Sequence, residues 1–290
     1  MKLLRYNICS ISFRHGLVSF RDLVRFAHQT GFSGIELWGV HAKSMLETNP
    51  LEVTRMVTEM HQHHIGVSMI SDYVDLLGVP DKFAETESKW HTLIRLARLF
   101  QTDKIRIFAA NKSSKSASAE ELELCILRLK RLASLSSNYG IYTLVETHPE
   151  TFADTLDSTL HLAQQVEHPF LRINLDFLHM WEAHCDPLEA YEKLMPWTSN
   201  FHLKNVRGRH LLEVFKPENV YSPSGRTDGM VMLADGVVDY KPIIAALKQS
   251  KTQHSISLEW FGKDPFNCLK KELIWLKTQE LEVNQANLYS

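Results

Sequence analysis

Four side chains of metal-ligand type recur at matching places in the second half of the chain: Glu146, Asp176, His202 and Glu259. Each ends or nearly ends a short run that is otherwise largely apolar: IYTLVE from Ile141, LRINLD from Leu171, SNFHLK from Ser199 and SISLEW from Ser255. Taken singly, a carboxylate at a strand end is ordinarily a helix cap or a surface ion pair, and a lone His a hydrogen-bonded structural residue. The joint pattern is harder to explain so, because a charge in an apolar strand faces an interior and must be paired or metal-bound there. Two Glu, one Asp and one His form a hard, oxygen-rich donor set, which suits Mn²⁺ or Mg²⁺ better than a closed thiolate zinc site. One divalent ion is expected, Mn²⁺ first, with Mg²⁺, Co²⁺ or Zn²⁺ as alternatives, since ligands alone do not select the metal.

Residues two apart on a strand share a face. His148 is so placed beside Glu146, Lys204 beside His202, and Phe261 beside Glu259. His179 lies just past Asp176, on what reads as a loop, and is a further candidate for substrate contact in the pocket wall; Arg106 sits inside KIRIFA from Lys104. An imidazole titrates near neutral pH, which makes His148 the candidate general base, with Glu146 or Glu259 as the alternative. Arg106 and Lys204 supply two cations that a neutral sugar would not need but a carboxylate-bearing ring would. The expected ligand is therefore a small-molecule carboxylate. Arg14, His15, Asp72 and Tyr73 fall at the ends of two further strands and are candidates for the pocket wall.

The elements that must carry these residues alternate between β-rich runs and amphipathic stretches, and they do so eight times. The first half contributes LLRYNICSI from Leu3, SGIELWG from Ser33, IGVSMI from Ile65 and KIRIFA. Between strands, FRDLVRFAHQTG places Phe20, Leu23, Val24 and Ala27 on one face and stops at Gly31. The stretch from Leu122 repeats this and ends at Gly140, and DSTLHLAQQV and YKPIIAALKQS follow suit. Regular alternation implies parallel strands with crossover helices, and eight units imply a closed α/β barrel, a (β/α)8 TIM barrel spanning 1–290 as one domain. An open doubly wound sheet would want a Gly-rich phosphate loop after its first strand, and none appears. In a barrel the four ligand-type residues converge on the catalytic face. Asn111–Glu120 reads as a polar loop, the segment Arg207–Val238 as a long irregular lid over that face, and the tail after Lys277 as prone to fray.

Composition narrows the functional classes. With 44% hydrophobic residues, 23% charged residues and a net charge of −2, the chain has no global field for nucleic acid or an anionic membrane. No apolar run approaches the roughly 20 residues that span a bilayer, and the N-terminus reads as lacking a secretory leader. Four scattered cysteines suit free thiols in a reducing cytoplasm. Base rates point to a homodimer.

The order Glu, Asp, His, Glu on strands five to eight resembles the xylose isomerase-like barrel superfamily. GFSGIELWG around Glu36 is similar to its second strand, and LADGVVDYKPIIAALK to its run between strands seven and eight. Within it, ISFRH, GIELWG, ISDY, ETHPETFADTLDSTL, INLDFLHMWE, HLKN, ENVY and SLEWFG resemble the 3-dehydroshikimate dehydratases of the petrobactin siderophore pathway, over nearly the whole chain. That resemblance implies a divalent metal on Glu146, Asp176, His202 and Glu259. It also implies a pocket lined by Arg106, His148, Lys204, Tyr221 and Phe261, and dehydration of 3-dehydroshikimate to 3,4-dihydroxybenzoate. The same ligands also fit a ketose epimerase or hydroxypyruvate-type isomerase, which the pair Arg106 and Lys204 disfavours. An apurinic-site endonuclease would need more metal ligands and a basic face. A barrel that only binds a metabolite would not need all four ligand positions filled.

Overall fold

The structure is a computed structural model, and it describes residues 4–250 and 252–286. Eight parallel strands close into a barrel: β1 (Arg5–Cys9), β2 (Gly34–Trp38), β3 (Gly66–Ser71), β4 (Lys104–Ile107), β5 (Tyr142–Glu146), β6 (Leu171–Asp176), β7 (Thr198–Leu203) and, after a two-residue hairpin, β10 (Ser255–Leu258). The last strand pairs with the first, Arg5 opposite Ser255 and Ile8 opposite Leu258, so no sheet edge is left. Ile, Val and Leu dominate these runs because both faces of a parallel strand are buried, one by the barrel interior and one by the helices.

The helices begin and end where the capping chemistry places them. Ser19 accepts a hydrogen bond from the Asp22 N–H and opens α1 (Phe20–Thr30), which buries Leu23, Val24 and Ala27 and stops at Gly31 with φ 85°. After α2 (Gly39–Thr48), α3 (Pro50–Gln62) and α4 (Pro80–Leu99), α5 (Ala119–Ser137) starts on a reciprocal Ser118–Glu121 capping box. The end of the expected loop at Asn111–Glu120 is therefore already helical. Next come α6 (Leu156–Val166), α7 (Phe177–Glu182) and α8 (Pro187–Leu194). His179 lies on α7 rather than on a loop, because Asp176 Oδ1 accepts its N–H at 3.1 Å and caps a short helix directly off β6.

The long segment after β7 is more ordered than its composition suggests. β8 (Asn205–Val206) pairs antiparallel with β9 (Met230–Val231), and between them lie a 3-10 helix over Arg209–Phe215 and α9 (Pro217–Val220). Asn205 ties off its base: its Nδ2 donates to the carbonyls of Leu233 and Val238 at 2.9 Å each. A Cβ on Gly236 would lie 2.1 Å from Asn205 Cγ, so this clasp requires glycine there. The chain finishes with α10 (Tyr240–Gln249) and α11 (Pro265–Ala286). The tail expected to fray past Lys277 is helical instead, anchored by an ion pair between Glu280 and Lys248 that is almost fully buried. Residues 287–290 of that tail lie outside the described residues. No described helix is long and apolar enough to cross a membrane.

Glu272 of α11 holds the end of the lid segment. Its Oε1 accepts the Leu233 N–H at 2.8 Å, its Oε2 has no hydrogen-bond partner among the described residues, and the residue is 5% exposed. Burial pushes this carboxyl up to about 8 against the pull of the Leu233 N–H, with Asp235 adding to the rise. The folded state then holds a proton that the unfolded chain releases near 4.5. This stabilisation is complete below that value and is lost as pH rises through about 8. Denaturant titrations should show the wild-type unfolding free energy falling across that window by on the order of a few kcal/mol, with the fall flattened in Glu272→Gln. Equal pH slopes in the two proteins would remove Glu272 as the group responsible.

Candidate active site

Barrel closure brings the four ligand-type residues together. Glu146 ends β5, Asp176 ends β6, His202 is next to last in β7, and Glu259 follows β10. Asp176 and His202 are in register across β6 and β7. All four are buried, and one donor atom from each lies within 4.8 Å of the others. His202 Nδ1 stands 3.3 Å from Glu146 Oε1 and 3.5 Å from Glu259 Oε1. Neither this nitrogen nor Asp176 Oδ2 has a hydrogen-bond partner among the described residues. Lys204 Nζ comes within 2.7 Å of Asp176 Oδ2, an ion-pair distance without hydrogen-bond alignment, and donates to Glu259 Oε2 at 2.6 Å. Arg106 Nε lies 2.8 Å from Glu146 Oε2. Asn200 donates to Asn174 at 2.7 Å and Asn174 to Glu146 at 3.2 Å, a buried amide chain that fixes the carboxylate from behind. The Tyr240 hydroxyl donates to the Lys204 carbonyl at 2.7 Å and pins the backbone where this side chain turns inward.

A fourth buried carboxylate, Glu36 of β2, completes the cluster, with His202 Nε2 2.8 Å from its Oε2. Glu36, Glu146 and Glu259 outweigh burial and hold the His202 imidazole well above its ordinary range, so that without a metal it is charged. Once it gives up that proton to act as a ligand, four carboxylates face two permanent cations, an excess of two negative charges. A divalent cation balances that excess, and the unsatisfied oxygen and nitrogen point into one donor set, so the residues present fit a single hard divalent ion. Cys9, Glu36 and His202 also lie close together, but there the contacts are hydrogen bonds, with the Cys9 thiol donating to Glu36 at 3.4 Å. The electrostatics follow from the packing. Burial alone would raise Glu36, yet the charge and hydrogen bond of His202, with Arg106 and Ser71, bring it down to about 2. Burial likewise works against ionising Glu146 and is outweighed by Arg106, then His202 and Lys204, which hold its carboxyl well below the usual range.

One cleft opens beside this set. Of the residues expected from sequence, Arg106, His148, Lys204, Tyr73, Tyr221 and Phe261 all line it, together with Glu146 and Glu259. Phe108 and Phe215, which carry no ligand-type signal of their own, line it as well, and both are stacking partners. The Arg106 guanidinium lies over Phe108 and Tyr73, and the Lys204 ammonium faces Phe215 and Phe261. His148 lies between Phe108 and His179, with ring centroids at 4.3 and 4.5 Å. Its Nδ1 is 2.7 Å from the Pro149 carbonyl, which can only accept, so Nδ1 carries the proton and Nε2 the lone pair. Burial, helped by His179 and Lys204 and opposed by Glu146, takes this imidazole down to about 3.

Four expected wall residues, His179, Asp72, His15 and Arg14, stand elsewhere. His179 sits behind His148 with Nδ1 2.9 Å from Glu182 Oε2, so it buttresses the wall and does not form it. Asp72 is held by Lys43 at 2.6 Å and Lys89 at 3.0 Å, outside the cleft. His15 turns to the Val220 carbonyl at 3.1 Å, and Arg14 donates to the same carbonyl and to that of Phe261. Together these two fasten the segment after β7 over the site. Tyr221, at the end of α9, stacks on Trp38 at 5.9 Å and meets Tyr73 edge-on. With the segment in this position the cleft is narrow, about 30 Å³. Glu36 offers the same sequence signal as the other ligand-type residues, a carboxylate inside an apolar strand, but sequence reading assigns it no role.

Comparison with known proteins places this geometry. The family described as xylose isomerase-like TIM barrel matches residues 24–279. The chain is 42% identical to the 3-dehydroshikimate dehydratase of Bacillus anthracis over 280 residues, covering 97% of this chain and 99% of that protein. Its fold superimposes with a TM-score of 0.91 on the crystal structure described as the probable 3-DHS dehydratase AsbF involved in the petrobactin synthesis from Bacillus anthracis, with 94% of this chain and 99% of that chain covered at 42% identity. The IOLI protein, solved with a zinc atom, shares the fold at a TM-score of 0.74 and 14% identity, over 98% of each chain. The chain belongs to the xylose isomerase-like TIM barrel family, in the branch of the Bacillus anthracis 3-dehydroshikimate dehydratase.

Proposed function

We propose that this protein dehydrates 3-dehydroshikimate to 3,4-dihydroxybenzoate, a catechol acid for siderophore assembly, in the cytoplasm, with Mn²⁺ on Glu146, Asp176, His202 and Glu259. The observation that carries this reading is the 42% identity to a 3-dehydroshikimate dehydratase over essentially the full length of both chains. The cleft agrees chemically, since two buried cations and an imidazole suit an anionic ring rather than a neutral ketose.

The reaction removes the proton α to the ring ketone and then the hydroxyl on the β carbon, and tautomerisation of the resulting dienone gives the aromatic product. A bound divalent ion supplies Lewis-acid stabilisation of the negative charge that develops on the ketone oxygen. His148 takes the α proton at Nε2, the nitrogen left free by the Pro149 contact, and its low basicity in the buried site keeps it neutral beforehand. Arg106 Nη1 has no hydrogen-bond partner among the described residues, and this guanidinium pairs with the ring carboxylate. Lys204, held between Asp176 and Glu259, stands at the reacting end and assists departure of the hydroxyl. Phe108, Tyr73 and Phe261 pack on the ring faces, and closure of the segment carrying Tyr221 excludes water from the enolate. The working partner is thus a small carboxylate, and the assembly is a homodimer by base rate.

Absorbance of 3,4-dihydroxybenzoate should rise when purified protein meets 3-dehydroshikimate with Mn²⁺. It should vanish with a chelator and in Glu146→Ala or His202→Ala, and absence of product under every divalent metal would sink the reaction assigned here. His148→Ala should lower kcat by about 10²–10⁴-fold while bound metal stays at the wild-type level; near-normal turnover removes His148 as the base. Arg106→Lys should act mainly through KM, raising it about tenfold as one carboxylate contact is lost, and an unchanged KM would place the substrate carboxylate elsewhere.

A further inference from the structure

We infer that Glu36 is a positioning residue for the donor set, fixing the ring and tautomer of His202 so that Nδ1 is the atom offered to a divalent cation. The inference rests on reading Glu146, Asp176, His202 and Glu259 as a metal site. His202 is fully buried, with its two nitrogens facing opposite ways: Nε2 is 2.8 Å from Glu36 Oε2, and Nδ1 looks across to Glu146 and Glu259. A carboxylate only accepts, so Nε2 must carry a proton and donate it. In the neutral ring the lone pair is then on Nδ1, which is also the nitrogen with no hydrogen-bond partner among the described residues. A carboxylate behind a ligating imidazole both fixes its orientation and raises its basicity.

Glu36 is itself held from several sides. Ser71 Oγ donates to Oε1, and the Cys9 thiol donates to Oε2 at 3.4 Å. Its place in the barrel is also specific: the β2–β3 register steps from Ile35 opposite Val67 to Glu36 opposite Met69, an irregularity of the kind that re-aims a side chain. A simple core ion pair would put Arg106 closest, yet that guanidinium lies 3.7 Å from Glu36 and 2.8 Å from Glu146. The near partner of Glu36 is the imidazole.

Glu36→Gln keeps the volume and one acceptor while removing the charge. Titration with Mn²⁺ followed by electron paramagnetic resonance of the free ion needs no substrate, so it reads the site apart from the reaction. The variant should bind Mn²⁺ about 10–100-fold more weakly than wild type. In ¹⁵N-histidine-labelled protein loaded with diamagnetic Zn²⁺, wild type should show a slowly exchanging His202 Nε2–H signal that moves or disappears in the variant. Mn²⁺ affinity within threefold of wild type together with an unchanged N–H signal would overturn the inference and leave the metal site standing. Wild type that binds no divalent ion would overturn the metal reading, and this inference with it. Should Glu36→Gln fail to fold, Ser71→Ala frees the same carboxylate: weaker Mn²⁺ binding supports the assignment, and unchanged binding overturns it.

Discussion

The structure turns on an accumulation of charge that water cannot reach. Glu36, Glu146, Asp176, Glu259, His202, Arg106 and Lys204 are all buried at the mouth of one barrel. Ions cost several kcal/mol each to desolvate unless geometry compensates, and removing one partner strands the other. The surroundings are arranged accordingly: the Asn200–Asn174 chain holds Glu146, the Tyr240 hydroxyl holds the Lys204 backbone, and the α7 cap uses the second oxygen of Asp176. What the described residues leave without a hydrogen bond in the donor set is Asp176 Oδ2 and the His202 Nδ1 nitrogen. Low local dielectric makes the donor set a strong electrostatic centre for the same reason that it is costly to build.

Around this rigid centre the wall is aromatic. Tyr73, Phe108, Phe215 and Phe261 surround Arg106 and Lys204 with ring faces, so both cations are shielded from water without losing their charge. The segment from Arg209 to Tyr221 closes the top. It is held by the Val220 carbonyl under Arg14 and His15, by Tyr221 against Trp38 and Tyr73, by Phe215 against Phe261, and by Arg209, which donates to the Trp181 and Glu182 carbonyls. Asn205 and Glu272 clasp the base of the segment.

Much of the site is legible in sequence because barrel geometry turns strand-end positions into neighbours. Glu146, Asp176, His202 and Glu259 are each recognisable as ligand-type residues in apolar runs, and spacing by two extends the set to His148, Lys204 and Phe261. His15 and Asp72 show where that logic stops. They also lie near strand ends, but a loop residue has no fixed face: Asp72 is held by lysines outside the cleft, and His15 turns to the Val220 carbonyl. His179 is misplaced for a related reason: whether the chain after Asp176 forms a loop or a helical turn depends on the rotamer of Asp176 as a cap, which composition does not reveal. The order within Arg207–Val238 is hidden too, since it comes from a two-residue hairpin and from side-chain clasps formed with residues distant in sequence.

By itself the sequence determined the architecture, the four-residue donor set and the presence of two cations beside it, because periodicity and a charge in an apolar strand are local signals that survive without coordinates. Only the tertiary structure decided which charge meets which. It placed Arg106 on Glu146, Lys204 between Asp176 and Glu259, and Glu36 behind His202, pairings that depend on barrel register, a strand irregularity and side-chain reach across the interior. It likewise decided which nitrogen of His148 and of His202 is free, since that is set by the partner of the other nitrogen. Those pairings arise only when strands far apart in the chain close into one ring, and interactions of that range leave no periodic trace along it.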